Sequence, residues 1–195
     1  MRQSTLLPWA LALATVLTAG CSAAQGGSVV ASDTRSVPAQ VHPQLSPPVE
    51  HPRDIRAFRD QPCEVLTTKQ LKGFGFDLPP DSTYTLPSGN KACEWTDSGH
   101  NGGLVVSTFP DWDILERTYA HRAALPVFQP MQIAGLPAAA HQSGVGVPRC
   151  YVTVELAERQ GLDVSFTDLR APYEDPCGAA RAVAEAVVGN LSPLG

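Results

Sequence analysis

Hydrophobic and polar residues alternate in several short runs through the second half of the chain. A period of two marks strands with one buried face. In Cys93-Glu94-Trp95-Thr96-Asp97, the residues Cys93 and Trp95 share a side. A second run at 104–109 follows the turn at 98–103, so the two predict a β-hairpin. Further on, Cys150, Val152, Val154 and Leu156 point one way, with Tyr151, Thr153 and Glu155 opposite. Leu162, Val164 and Phe166 likewise oppose Asp163, Ser165 and Thr167, and residues 158–161 join these two runs as a second hairpin. Weaker strand patterns lie at 127–133 and 137–142.

Three segments change to helical spacing. Thr67 and Gln70 fit a capping box, with Leu71 as the apolar anchor and Gly73 as the stop. Asp111 is placed to cap a helix carrying Trp112, Leu115, Tyr119 and Ala123 on one stripe, ended by Pro126. The last helix has Asp175 as N-cap and Pro176 at its first position, where the missing N–H costs nothing. Cys177, Ala180, Val183, Ala184, Val187, Val188 and Leu191 then recur on one face. One-sided strands and one-sided helices need each other as cover. The expected fold is α+β: an antiparallel sheet with helices packed on one face, in two layers, over residues 54–195.

The first 53 residues carry no such pattern. Residues 1–20 combine the basic Arg2, an apolar stretch from Leu6 to Val16, and small residues before Cys21, as a secretory signal peptide does. The apolar run is too short to span a bilayer, which takes about 20 residues. Thr18-Ala19-Gly20-Cys21 resembles the lipobox of bacterial lipoproteins, although Leu17 stands one position farther from the cysteine than is usual. The expectation is acylation at Cys21, firm anchoring by several acyl chains, and location on the extracytoplasmic face of the cell membrane. Residues 21–53 are rich in Pro, Ser and Ala and poor in large apolar residues, which predicts a disordered tether.

Charge narrows the partners. The chain of 195 residues has a formal net charge of −5, and Arg2 is the only charged side chain before Cys21, so removal of the first 20 residues leaves −6. An acidic surface disfavours nucleic acid, and it also disfavours adhesion to anionic lipid without an anchor.

Cys63, Cys93, Cys150 and Cys177 are an even set in a domain expected to be exported, which favours two disulfides. A metal site is the rival reading. It lacks a C-x-x-C pair and any histidine at ligand spacing, so no metal or cofactor is expected. Cys93 and Cys150 lie on strand faces, whereas Cys63 and Cys177 each follow a proline at a helix start. Layer by layer, this favours Cys93–Cys150 and Cys63–Cys177, while three connectivities remain open.

No nucleophile elbow, H-E-x-x-H, S-x-x-K or phosphate-binding loop is present in the sequence. His42 and His51 fall in the tether, His100 in a hairpin turn, His121 on a helix surface, and His141 in a weak strand. Asp111 and Asp113 form a possible carboxylate pair, but acids are common at helix N-termini for dipole reasons alone. Trp95, Trp112 and Tyr119 could line a cleft, though aromatics at these spacings more often belong to a core.

In order along the chain stand Pro62-Cys63, the Thr-capped helix ending at Gly73, Cys93-x-Trp95, Gly135-Leu136-Pro137-Ala138, Cys150, and Asp175-Pro176-Cys177-x-x-Ala180. That order resembles the actinobacterial lipoprotein family known as domain of unknown function 3558. Gln61 departs from the pattern, since Asp commonly precedes the first Pro-Cys. The resemblance implies a cell-envelope location and carries no catalytic residues. The function expected is a non-enzymatic binding module, attached to the membrane through Cys21 and meeting an envelope protein, lipid or wall component. The alternative is an envelope hydrolase whose site is assembled from distant residues.

Overall fold

The computed structural model describes residues 44–170 and 175–194. The expected signal peptide, Cys21 and most of the expected tether lie outside the described residues.

Seven antiparallel strands form the main sheet: β2 (Ser82–Thr85), β3 (Lys91–Thr96), β4 (Gly102–Phe109), β5 (Val127–Ile133), β6 (Leu136–Gln142), β7 (Arg149–Ala157) and β8 (Gln160–Asp168). Their order across the sheet is β2-β3-β4-β8-β7-β6-β5. Both expected hairpins are present as β3-β4 and β7-β8, and β5-β6 forms another, turning at Ala134 and Gly135 with positive φ at both. A separate two-stranded pairing joins β1 (Arg53–Asp54) to β9 (Ser192–Pro193) and brings the two ends of the described domain together.

α1 (Thr68–Gly73) starts with the capping box read from the sequence: Gln70 N donates to Thr67 Oγ1 and Thr67 N donates to Gln70 Oε1. α3 (Pro176–Asn190) starts at Asp175, whose carboxylate accepts from Gly178 N at 2.8 Å. α3 lays Ala180, Val183, Ala184 and Val187, all fully buried, onto the sheet face that carries Trp95, Val106, Val152 and Val164. α1 adds Leu71 to the same core, and Phe76, just beyond it, meets Phe166 edge to face at 5.9 Å. α2 (Ile114–Ala120) is the exception to the single covered face: Leu115 and Tyr119 pack with Ala139 and Phe128 in a second cluster on the opposite side. No helix among the described residues is long and apolar enough to cross a membrane.

The domain begins earlier than Asp54. Ser46 is buried, Val49 packs against the main core, and Leu194 N donates to Pro52 O at 2.9 Å. Glu116 of α2 holds this stretch, accepting from Leu45 N at 2.9 Å, Ser46 N at 2.8 Å and Ser46 Oγ at 2.9 Å. Burial alone would raise the Glu116 pKa, but the hydrogen bonds from Ser46 and Leu45 outweigh it and leave the group below its ordinary value.

All four domain cysteines are in disulfides, but the favoured partners are corrected: Cys63 joins Cys93 and Cys150 joins Cys177. Strand order is the reason. β4 and β8 stand between β3 and β7, so Cys93 and Cys150 are three strand spacings apart, or roughly 14 Å. A disulfide spans no more than about 7 Å between Cα atoms. Each bridge instead pins a helix start to the strand beneath it, with Cα atoms 5.1 and 5.0 Å apart. The closed loops span 30 and 27 residues of sequence separation, each worth about 3.5 kcal/mol in the chain-entropy model. Non-reducing peptide mapping should recover these two pairs. A Cys150→Ser, Cys177→Ser double variant should lose about 3 kcal/mol in denaturant unfolding.

Candidate functional site

Among the described residues, the helix that covers the sheet face opposite α3 is α2, at one end. Its residues follow from the register. One cross-strand row runs Tyr84, Ala92, Ser107, Asp163, Thr153, Ala139 from β2 to β6. The next runs Glu94, Val105, Ser165, Tyr151, His141, Phe128 from β3 to β5. Residues opposite one another in an antiparallel pair lie on one face, with Cβ atoms about 5 Å apart. The two rows therefore gather hydroxyls, a carboxylate and an imidazole on the floor of a cleft of about 350 Å³. Ile114 and Thr118 of α2 and Phe109 of β4 wall one end of it, and Arg149 lies toward the other.

A hydrogen-bonded chain crosses the floor. Thr153 Oγ1 donates to Asp163 Oδ1 at 2.6 Å, and His141 Nε2 lies 3.2 Å from Thr153 Oγ1. The threonine has a single proton, committed to the carboxylate, so Nε2 must be the donor to Thr153. That fixes the tautomer and leaves Nδ1 as a bare acceptor; it is buried with no partner among the described residues. The ring stacks on Tyr151, with centroids 5.1 Å apart and planes 7° from parallel. Burial pushes the His141 pKa down to about 4, so the imidazole is neutral at pH 7. Asp163 is pushed up to about 6 by desolvation, against the Thr153 hydrogen bond. Its only ion-pair neighbour among the described residues is that neutral ring, at 3.9 Å.

α2 sits close to the sheet because β8 has Gly161 beneath it. A Cβ there would lie 2.5 Å from Ile114 Cγ2 and 2.8 Å from the Val154 carbonyl oxygen. Leu115 N donates to Glu155 Oε2 at 3.2 Å, tying the helix start to β7. Glu155 is 6% exposed. Desolvation raises its pKa to about 8, with Asp113 and Glu116 adding to the rise and the Leu115 N–H opposing it. Around it lies a second, acid-lined hollow shared by Asp113, Glu116, Glu158 and residues 44–49. No group of three or more metal-ligating side chains is set to hold an ion among the described residues.

Other residues singled out in the sequence are placed elsewhere. Trp95 is fully buried in the main core. Trp112 lies under the Arg117 guanidinium, 4.8 Å from the ring centroid, and Tyr119 meets Phe128 edge-on. Asp111 does not cap α2; it pairs with Arg59. Asp113 is at the N-cap position but turns its carboxylate to Arg159 N at 2.8 Å. His51, His100 and His121 are exposed, and His42 lies outside the described residues. Among the described histidines, His141 alone reaches the cleft. Thr153, Asp163 and Ser165, read from the sequence merely as the polar sides of strands, are its companions. Their only signal was the period-two alternation, which does not distinguish a cleft floor from a solvent-facing side.

Fold and site together define an antiparallel α+β domain with one face sealed by a helix and a polar cleft on the other. The chain belongs to the family described as "Protein of unknown function (DUF3558)", whose model matches residues 16–190. No curated protein and no solved structure matches the chain significantly.

The folded state holds the Glu155 proton up to about pH 8, whereas an exposed carboxyl loses it near 4.5. Stability should therefore fall as pH rises through that interval. Glu155→Gln keeps an acceptor for Leu115 N and removes the titration. Relative to the native chain it should gain about 2 kcal/mol or more at pH 8 and little at pH 4.5, measured by urea unfolding.

Proposed function

We propose that the chain is an exported lipoprotein of the actinobacterial cell envelope, acylated at Cys21 and held on the outer face of the membrane. In this reading the domain is a non-catalytic module that binds a small molecule or a protruding group of an envelope component. The observation that carries the binding role is the polar cleft on the sheet face opposite α3. A domain gains nothing in stability from burying a carboxylate and an imidazole side by side without a cation between them, and such perturbed groups in a concave site favour binding or catalysis.

Several features favour binding over hydrolysis. Hydrolysis by covalent catalysis needs a nucleophile that reaches substrate and a base within hydrogen-bond distance. Thr153, the hydroxyl nearest His141, is 1% exposed and already donates to Asp163. His141 Nε2 is spent on Thr153, and its other nitrogen is buried. Export and anchoring rest on the pattern of residues 1–21, and two disulfides accord with an oxidising compartment.

A Cys21→Ala chain should leave the membrane fraction and lose palmitate labelling, with an unchanged melting temperature. Retention in the membrane would overturn the anchor. The binding role is checked by thermal shift against envelope glycans, lipids and peptides, where stabilisation without turnover is expected. Hydrolysis of any of them would overturn the non-catalytic reading.

A further inference from the structure

The cleft floor contains a carboxylate that the protein only partly satisfies. An ionised carboxylate offers about four acceptor positions on two oxygens. The Asp163 side chain accepts a single hydrogen bond, from Thr153, and among the described residues no Lys or Arg stands within ion-pair distance of it. The groups that line the cleft around it are Thr153 and Tyr151 from β7, His141 from β6, Ser107 from β4 and Thr118 from α2, while Tyr84 of β2 lines the same cleft three strand spacings, roughly 14 Å, across the sheet. Glu94 of β3 stands one row away, and His141 carries no charge at pH 7. The one guanidinium in the cleft belongs to Arg149, which pairs in register with Thr167, four residues along β8 from Asp163. At the rise of a strand that is about 13 Å, and Arg149 is held there by its Nε donating to Thr167 Oγ1 at 2.8 Å.

Carbon surface lines much of the cleft that holds this carboxylate. Tyr84, Tyr151 and Phe109 contribute rings to the cleft, and Val105 and Ile114 contribute aliphatic surface. Aromatic faces attract organic cations, and a desolvated carboxylate gains most from a partner that brings both positive charge and N–H donors. A free anion would meet an unpaired negative charge, and a wholly apolar ligand would bury that charge further.

We infer that the cleft takes the protonated amine of a small organic ligand, with Asp163 receiving its N–H groups and the tyrosine and Phe109 rings flanking its carbon skeleton. This deepens the binding role proposed above and rests on it. The ammonium charge offsets the desolvation that lifts the Asp163 pKa to about 6, and it needs the carboxylate ionised, so affinity falls on acidification below that value. His141 stays neutral through the same range and does not compete as a cation.

The probe is 2-phenylethylamine, with 2-phenylethanol and 3-phenylpropionate as neutral and anionic matches. Binding to the full chain in detergent is followed by amide NMR shifts at Tyr84, Tyr151 and Ser165 and by calorimetry. At pH 7.5 the amine should shift these amides and the two matches should not. Asp163→Asn, which keeps the acceptor for Thr153, should weaken the amine at least tenfold. The native chain at pH 5 should bind about tenfold more weakly than at pH 7.5. Tyr84→Ala, on an exposed edge strand and so harmless to folding, should weaken it severalfold. Equal binding of the alcohol or the acid, or full affinity in Asp163→Asn, would overturn the amine assignment and leave the cleft a ligand site. Silence from all three probes at those amides would overturn the cleft reading as well.

Discussion

Gly102 pairs with Asp168 and Phe109 with Gly161, and each pair between them ties a strand of one hairpin to a strand of another. This ladder between β4 and β8 joins the halves of the sheet. Because side chains alternate, a slip of one residue would turn Val106 and Val164 to solvent and drive Asp163 into the core. The apolar face under α3 makes that slip prohibitive, since each large side chain removed from a core costs on the order of 2–5 kcal/mol. The same ladder sets how far β3 stands from β7, and therefore which cysteines can meet. It also aligns Ser107 with Asp163 and, through β7, with Thr153. The cleft is thus a by-product of the register that the core enforces on the other side.

On the cleft side the physics runs in the opposite direction. The groups there are desolvated without being neutralised by ion pairing. Thr153 shares its oxygen between a ring nitrogen and a carboxylate, and the stacked Tyr151 fixes the plane of the imidazole. The result is a rigid polar surface whose charges are governed by burial more than by neighbours. Glu155 obeys the same rule beneath α2, where the Leu115 N–H only partly offsets the loss of water.

The strands that carry Cys93, Val152 or Val164 were legible because burial on one side imposes alternation. β2 was not: all of Ser82–Thr85 is exposed, and only its pairing with β3 defines it as a strand. Leu115 and Tyr119 announced a buried stripe on α2, but a stripe does not say which face of a sheet it will meet. Disulfide partners depend on strand order, which no local pattern encodes. The polar sides of β7 and β8 were also visible in the alternation. Their convergence with His141 required the β6–β7 register, a relation between residues 141 and 151 that only the folded sheet supplies.

The hold of Glu116 on Leu45 and Ser46 decides how mechanical load enters the domain. A pull on the chain ahead of Gln44 is first resisted by hydrogen bonds from three donors, Leu45 N, Ser46 N and Ser46 Oγ, to one carboxylate. From there it passes into α2, and through the Leu115–Glu155 contact into β7. The paired strands β1 and β9, at the chain's other entry into the fold, stay unloaded until that first grip has failed. The helix that walls the cleft is thus also the part of the domain that feels tension first.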